Sequence, residues 1–378
     1  MRIDTGIRVV ISLAACLAAC LAAIGCAPHA PKTPATTPAA AAATATFNGL
    51  GDLEGGAVRS EALAISDDGR VVVGRSSSAH SSEEGFAWTK GSGMRPLLGA
   101  GGAHVGGEPR AVSAGGSIIA GKIVSGGNLT AARWTQGTGW VELDDLQGGG
   151  TGSQVLAMSA NGEVLVGWGT SANGLESARW TGSKVMSLGD LPGGRVGSAA
   201  AAVSADGATV AGTGTTAQGP ELYLWKAATG MVAVGELAGG SFGSEPFGMS
   251  PGGGIIVGKS ESVHGTEAFR WTKDGGMQGL GDLPGGAFVS IAFEVSDDGT
   301  AVGTATGNDG AVAVVWDAKN GIQTVKEALL AAGAKDVETW QLTEATGISR
   351  DGRTLIGNGM NPQGAPEGWV ARLPVRAR

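Results

Sequence analysis

Residues 65–74 read ISDDGRVVVG. Close variants return as VSAGGSIIAG at 112–121, MSANGEVLVG at 158–167, VSADGATVAG at 203–212, MSPGGGIIVG at 249–258, VSDDGTAVG at 295–303 and ISRDGRTLIG at 348–357. Each joins an apolar residue to a β-branched run through Ser-x-x-Gly. A polar side chain early in a turn bonds to backbone two residues on, and Gly takes the positive-φ position that closes a tight hairpin. Runs such as RVVVG suit a strand. The stretch is therefore a β-hairpin, and its returns predict a chain of repeated antiparallel units.

The marker serines are Ser66, Ser113, Ser159, Ser204, Ser250, Ser296 and Ser349, spaced by 47, 46, 45, 46, 46 and 53 residues. A second marker follows each of the first six: Trp88, Trp134, Trp180, Trp225, Trp271 and Trp316. In the seventh unit Trp369 takes the place of Phe86, and Ala371 takes the Trp place. Each unit parses into four short strands: a before the serine, b after the turn, c ending at the Trp, and d beyond a Gly turn. Four-stranded units repeated seven times predict an all-β fold, a seven-bladed β-propeller. The chain ends supply a check. FNGLGDLEGG from Phe47 matches the strand-d segments VMSLGDLPGG from Val185 and MQGLGDLPGG from Met277, whereas the chain stops after a strand c at GWVARL. The N-terminal strand is thus expected to pair with the C-terminal blade and close the ring, which removes exposed sheet edges. In the longer last unit, residues 325–336 (VKEALLAAGAKD) place Val325, Leu329 and Ala332 on one helical face, predicting a short helix on the rim between blades six and seven.

Composition agrees. The chain has 378 residues, 42% of them hydrophobic, enough for a sizeable core, and its 69 Gly favour short strands and tight turns. A net charge of −8 with no basic patch argues against nucleic acid as a partner. Nothing in the composition calls for a cofactor, and a monomer is expected.

Residues 1–26 read as a lipoprotein signal peptide. Arg2 and Arg8 precede an apolar run from Val9 to Cys26, and all three cysteines, Cys16, Cys20 and Cys26, lie within it. LAAC and AIGC resemble the lipobox of bacterial lipoproteins, in which the Cys becomes the lipidated N-terminus. Cys26 sits directly before a linker and is the expected lipidation site, with Cys20 as the alternative. Neither is followed by Asp, which by the same resemblance points to the outer membrane of a two-membrane cell, periplasmic or surface-exposed. Residues 27–46 form a Pro/Ala/Thr tether that holds a folded body, residues 47–378, away from a lipid surface.

The combination of GLGDLPGG, the Ile/Val-Ser-x-Asp-Gly hairpin and EAFRW resembles the HAF-repeat extracellular proteins over about residues 47–373. That resemblance implies an exported, propeller-like repeat protein and carries no catalytic set. The His that names the family is replaced here by Glu84, Thr130, Glu176, Glu221, Glu267, Val312 and Glu367.

Acids recur at the strand-d exit: Asp52, Asp145, Asp190 and Asp282, with Glu236 in the fourth unit. In four-stranded blades the d-to-a and b-to-c connections share one face, so these acids and the loop residues His80, His104, Glu221 and His264 form a candidate ligand-binding face. Turn chemistry alone also accounts for every acid. The SDDG and SRDG turns lack the alternating oxygens of a calcium loop, no Cys/His cluster suits zinc in the body, and no Gly-x-Ser-x-Gly elbow occurs. No metal is expected. Tyr223 lies in a strand-c pattern and reads as a packing residue. Arg133, Arg179 and Arg270 are expected to lie along sheet surface with exposed heads. The irregular positions, among them Glu83–Glu84 beside His80 and GGAHVGGEPR from Gly101, carry whatever the symmetric ones do not. Two functions stand open. One is a non-enzymatic scaffold that binds an envelope protein or polysaccharide. The other is a propeller-type glycan hydrolase or lyase using paired loop-face carboxylates.

Overall fold

A computed structural model describes residues 44–374. The signal peptide, Cys20, Cys26 and most of the tether lie outside the described residues. Seven four-stranded antiparallel sheets form a ring, a seven-bladed β-propeller. Strands a to d of blade one are Ser60–Ile65, Val71–Ser76, Glu84–Thr89 and Gly93–Pro96. The a strands of blades two to seven are Gly107–Val112, Gly148–Met158, Ala199–Val203, Ser244–Met249, Ser290–Val295 and Gln341–Ile348. They line the axis, with the d strands outermost.

Closure follows the expected pairing. Thr46–Gly49 adds to Pro366–Arg372 as the fourth strand of blade seven, with Phe47 opposite Ala371 and Gly49 opposite Trp369. The folded body starts slightly before Phe47: Ala45 is buried and its N–H donates to the Ala332 carbonyl at 2.9 Å. The rim helix spans Val325–Ala331, shorter than expected. A Thr324–Glu327 capping box starts it. Gly333, at φ +88°, stops it, with Ala334 N–H bonded to the Leu329 carbonyl. Val325 and Leu329 are fully buried.

The glycine inside every b strand has one cause. Each a strand carries a β-bulge at the same place, between Ala62 and Ala64 in blade one and between Pro109 and Ala111 in blade two, for example. The bulge presses the preceding carbonyl onto strand b. A Cβ at Gly74, Gly121, Gly167, Gly212, Gly258, Gly303 or Gly357 would collide with that carbonyl oxygen. In four blades the same glycine also makes room for a fully buried ring on strand c: Phe86, Tyr223, Phe269 and Trp369.

Two sets of serines fasten the blades. The marker serines are buried and hold their hairpins. Ser66 Oγ donates to Asp68 at 2.6 Å and accepts the Val71 N–H at 3.0 Å, and Ser204, Ser296 and Ser349 likewise donate to an Asp two residues on. A second set opens strand a and joins neighbouring blades. Ser198 Oγ donates to the Gly189 carbonyl at 2.6 Å and accepts the Ser177 N–H at 2.9 Å, and Ser244 and Ser290 repeat the pattern. Around the axis, the residue after each marker serine links to its counterpart in the next blade. Ala114 N–H donates to Ala160, Ala160 to Ala205, Ala205 to Pro251, Asp297 to Arg350 and Arg350 to Asp67, at 2.9–3.3 Å, and Asp68 donates to Ala114 at 3.3 Å. Pro251 has no N–H to give, so the joint from blade five to blade six lacks its link.

Of the Trp series, Trp180, Trp225 and Trp316 are buried, and Trp88, Trp134 and Trp271 are half-buried. Arg133, Arg179 and Arg270 are half-buried; their Nε atoms are enclosed without a hydrogen-bond partner, while a terminal nitrogen of Arg179 donates to Thr181 Oγ1 at 2.9 Å in an exposed position.

Candidate functional site

The acids of the strand-d exits are spent on their turns. Asp190 accepts the N–H groups of Leu191, Gly197 and Thr215 at 2.7–2.9 Å. Asp282 accepts those of Leu283 and Val289, and Asp145 those of Leu146 and Gly152. Glu236 accepts from Gly243 at 3.2 Å, and burial, with Glu221 nearby, raises its pKa. Asp52 is half-buried in the equivalent turn. His264 packs beside Phe288. His80 and His104 do meet: their rings stack at 3.6 Å, and His104 Nδ1 bonds the buried carboxylate of Glu84. In other blades the matching Glu accepts a backbone N–H of the exit turn instead, as Glu367 does from Gly51 and Glu267 from Gly281. None of Asp52, His80, His104, Asp145, Asp190, Glu236, His264 and Asp282 lines the central channel. Among the described residues, no group of three or more His, Cys, Asp or Glu is placed to hold a metal ion. Tyr223 is fully buried with its hydroxyl 2.6 Å from Ser177 Oγ, and burial pushes its pKa upward.

The irregular residues converge elsewhere, on the channel itself, a cavity of about 410 Å³ lined by all seven a strands. Three levels can be distinguished along it. At the start of each a strand, a residue faces a b-strand partner across the sheet. These pairs are charged in blades one, two and five: Glu61–Arg75, Glu108–Lys122 and Glu245–Lys259, at 2.7–3.3 Å. Burial alone would raise Glu61 and Glu108. The cations around them, Arg59 and Arg75 for Glu61 and Arg110 and Lys122 for Glu108, hold both below the usual carboxylate range. Glu344 in blade seven accepts from Asn358 at 2.8 Å. The counterparts in blades three, four and six are Gln154–Trp168, Ala199–Thr213 and Ile291–Thr304.

The middle level is the ring of bulged residues: Leu63, Arg110, Leu156, Ala201, Phe247, Phe293 and Thr346. The bulge is what turns them into the lumen. Phe247 and Phe293, on adjacent blades, pack edge to face at 5.7 Å. Arg110 Nε is held by Glu108 at 2.5 Å.

The third level carries the sharpest break in symmetry. The residue after the bulge is Ala64, Ala111, Ala157, Ala202, Gly248 and Gly347 in six blades, and Glu294 in blade six. Glu294 lies across Gly248 of blade five, where a Cβ would stand 2.9 Å from its Oε1. That oxygen accepts the Val295 N–H at 3.0 Å. Glu294 is half-buried and lines the lumen, and desolvation by the surrounding protein, with Asp67 nearby, pushes its pKa up to about 8. Beyond it, the a-to-b turns of blades six, seven and one form an acidic mouth of about 460 Å³, framed by Asp67, Asp68, Asp297, Asp298, Asp351 and Arg350. Arg350 Nε donates to Asp297 at 2.6 Å. Burial raises the pKa of Asp67, partly offset by Arg350.

Loop acids drew attention in the sequence because they recur. Glu294 and Arg350 do not recur: Glu294 stands in a column otherwise of Ala and Gly, and Arg350 in one that reads Asp, Ala, Ala, Ala, Pro and Asp in the other blades.

No family profile matches the chain, and no curated protein does. Solved structures of low identity share the fold. An oligogalacturonate lyase, solved with manganese, is 14% identical, and the match covers 88% of this chain and 91% of that one at a TM-score of 0.53. A puromycin hydrolase is 14% identical over 84% of this chain and 54% of that one, at 0.55. TolB from Acinetobacter baumannii is 14% identical over 57% of this chain and 52% of that one, at 0.42. The chain thus spans about half the length of the last two. Likeness at these identities shows the propeller alone.

Proposed function

We propose that this chain is a non-enzymatic binding scaffold of the bacterial cell envelope, a HAF-repeat propeller anchored through a lipid on Cys26, with Cys20 as the alternative. Its partner is an envelope protein or polysaccharide. The observation that carries the reading is the clustering of Glu294, Asp67, Asp297 and Arg350, charged at positions where the other blades carry Ala, Gly or Pro, around one end of the channel. A cavity of about 410 Å³ is at the small end for a ligand pocket, so a polymeric partner presents an end group or side chain there. The hydrolase or lyase reading needs two free carboxylates at a set separation. Asp190 and Asp282, two of the loop-face acids open to such a role, have their oxygens engaged by backbone N–H groups.

Ala201 faces the lumen from blade four without a charged neighbour in its ring position. The variant Ala201→Trp fills the channel. It should abolish retention of the envelope partner in pull-downs from solubilised membranes while the circular dichroism spectrum is kept. Turnover of any retained polysaccharide by the unmodified chain would overturn the non-enzymatic reading. Anchoring is tested separately: Cys26→Ser should move the chain from the membrane to the soluble fraction of the host, and Cys20→Ser should not.

A further inference from the structure

The channel's contents specify the chemistry of its occupant. Its acidic mouth carries Asp67, Asp68, Asp297, Asp298 and Asp351, with Arg350 on Asp297, Arg70 beside Asp68, and Arg353 and Arg372 beside Asp351. Just inside, Glu294 is the one acid among seven equivalent positions, half-buried and lining the lumen. Only a backbone N–H, that of Val295, donates to it. Phe293 precedes it in sequence, and Phe247 packs against that ring. An ammonium already takes up the flank of Phe247: Lys259 Nζ stands 5.9 Å from the ring centroid, held there by Glu245 at 3.3 Å. Leu63, Leu156, Met158 and Met249 supply apolar wall. Arg110 lies on blade two, and its charge is met by Glu108.

We propose that the channel binds an organic ammonium carried on an apolar body, with the ammonium at Glu294 and the body against Phe247 and Phe293. A half-buried carboxylate beside aromatic faces meets both needs of such a cation, charge compensation and ring contact. Entry of the ammonium expels the proton of the Glu294 carboxyl to solvent, leaving the carboxylate to pair with it, so binding couples to proton release below about pH 8. Asp67, Asp297, Arg350, Arg110 and Glu344 also line or border the channel and contribute to its pH profile. The inference rests on the reading of the channel as the binding site and narrows what enters it.

Calorimetric titration of the full chain with 2-phenylethylamine, 2-phenylethanol, 3-phenylpropionate and glucosamine tests it. The phenyl series varies charge on a constant body, and glucosamine keeps the amine on a polar body, as an amino polysaccharide would. The amine is expected to bind. The alcohol and glucosamine are expected to be weaker by roughly tenfold or more, and the carboxylate silent. Glu294→Gln should weaken the amine by roughly tenfold or more, and Phe293→Leu should weaken it without changing the preference for charge. The second variant keeps the test decisive should the first fail to fold. Equal binding of the alcohol or carboxylate, preference for glucosamine, unchanged affinity in Glu294→Gln, or no heat with the amine would each overturn the proposal. If Ala201→Trp still abolishes partner retention in that event, the channel reading survives and only the amine chemistry falls.

Discussion

Phe47→Ala should lower the unfolding free energy by about 3–5 kcal/mol, the range for removing a buried aromatic ring. Phe47 is 4% exposed and belongs to the strand that completes blade seven. Its ring meets Trp340 edge-on at 5.2 Å and lies 6.0 Å from Trp369, itself fully buried. The loss therefore combines the transfer of a phenyl group with a cavity between two indoles. It also loosens the one strand that ties the two ends of the chain together, so the effect should exceed that of an equal truncation within a blade. Urea denaturation gives the measure. Phe242→Ala, at a ring 48% exposed, serves as the control and should cost little. Equal midpoints for Phe47→Ala and the unaltered chain would mean that closure contributes nothing to stability.

Stability should decline as pH rises from about 4.5 to about 8 through Glu294, and level off above that. The native pKa lies near 8 and the ordinary value is 4.5. Between the two the native state holds a proton that the unfolded chain has released, so raising the pH favours unfolding. Above the native value both states are ionised and the slope vanishes. Glu294→Gln keeps the neutral shape and removes the titration. At pH 8 the variant should be more stable than the parent by about 1–3 kcal/mol, and the two should be close at pH 5. The comparison is made as a difference, since Asp67 also has a raised pKa and contributes with the same sign in both proteins. A constant gap between the unfolding curves from pH 5 to 8 would show that Glu294 does not exchange its proton on unfolding.

The seven blades were legible in the sequence because turns and strands are local. Ser66 and Asp68 hold their hairpin through contacts within five residues, so the motif carries its own structure. Closure was legible because a strand-d sequence at Phe47 had no strands of its own to join. The bulge was not. Its trace is the glycine inside each b strand, which also reads as an ordinary turn residue until the carbonyl of the neighbouring strand is placed against it. Interblade serines such as Ser198 and Ser244 were equally visible as repeats, but their partners lie on another blade. The loop-face histidines divide instructively. His80, Glu84 and His104 come together. The acids do not gather with them, because each is drawn into its own turn. Glu294 was hidden for a different reason: in a strand, one acid among small residues looks like surface until the bulge shows which way the strand faces.

The missing link at Pro251 gives the wheel a direction. The circle of main-chain bonds around the axis is interrupted between blades five and six, which are joined instead by the Thr266–Val289 bridge and the Ser290 hydroxyl. The interruption falls in the sector that holds Gly248, Phe247, Phe293 and Glu294. Widening the lumen between those rings therefore stretches no bond of that circle.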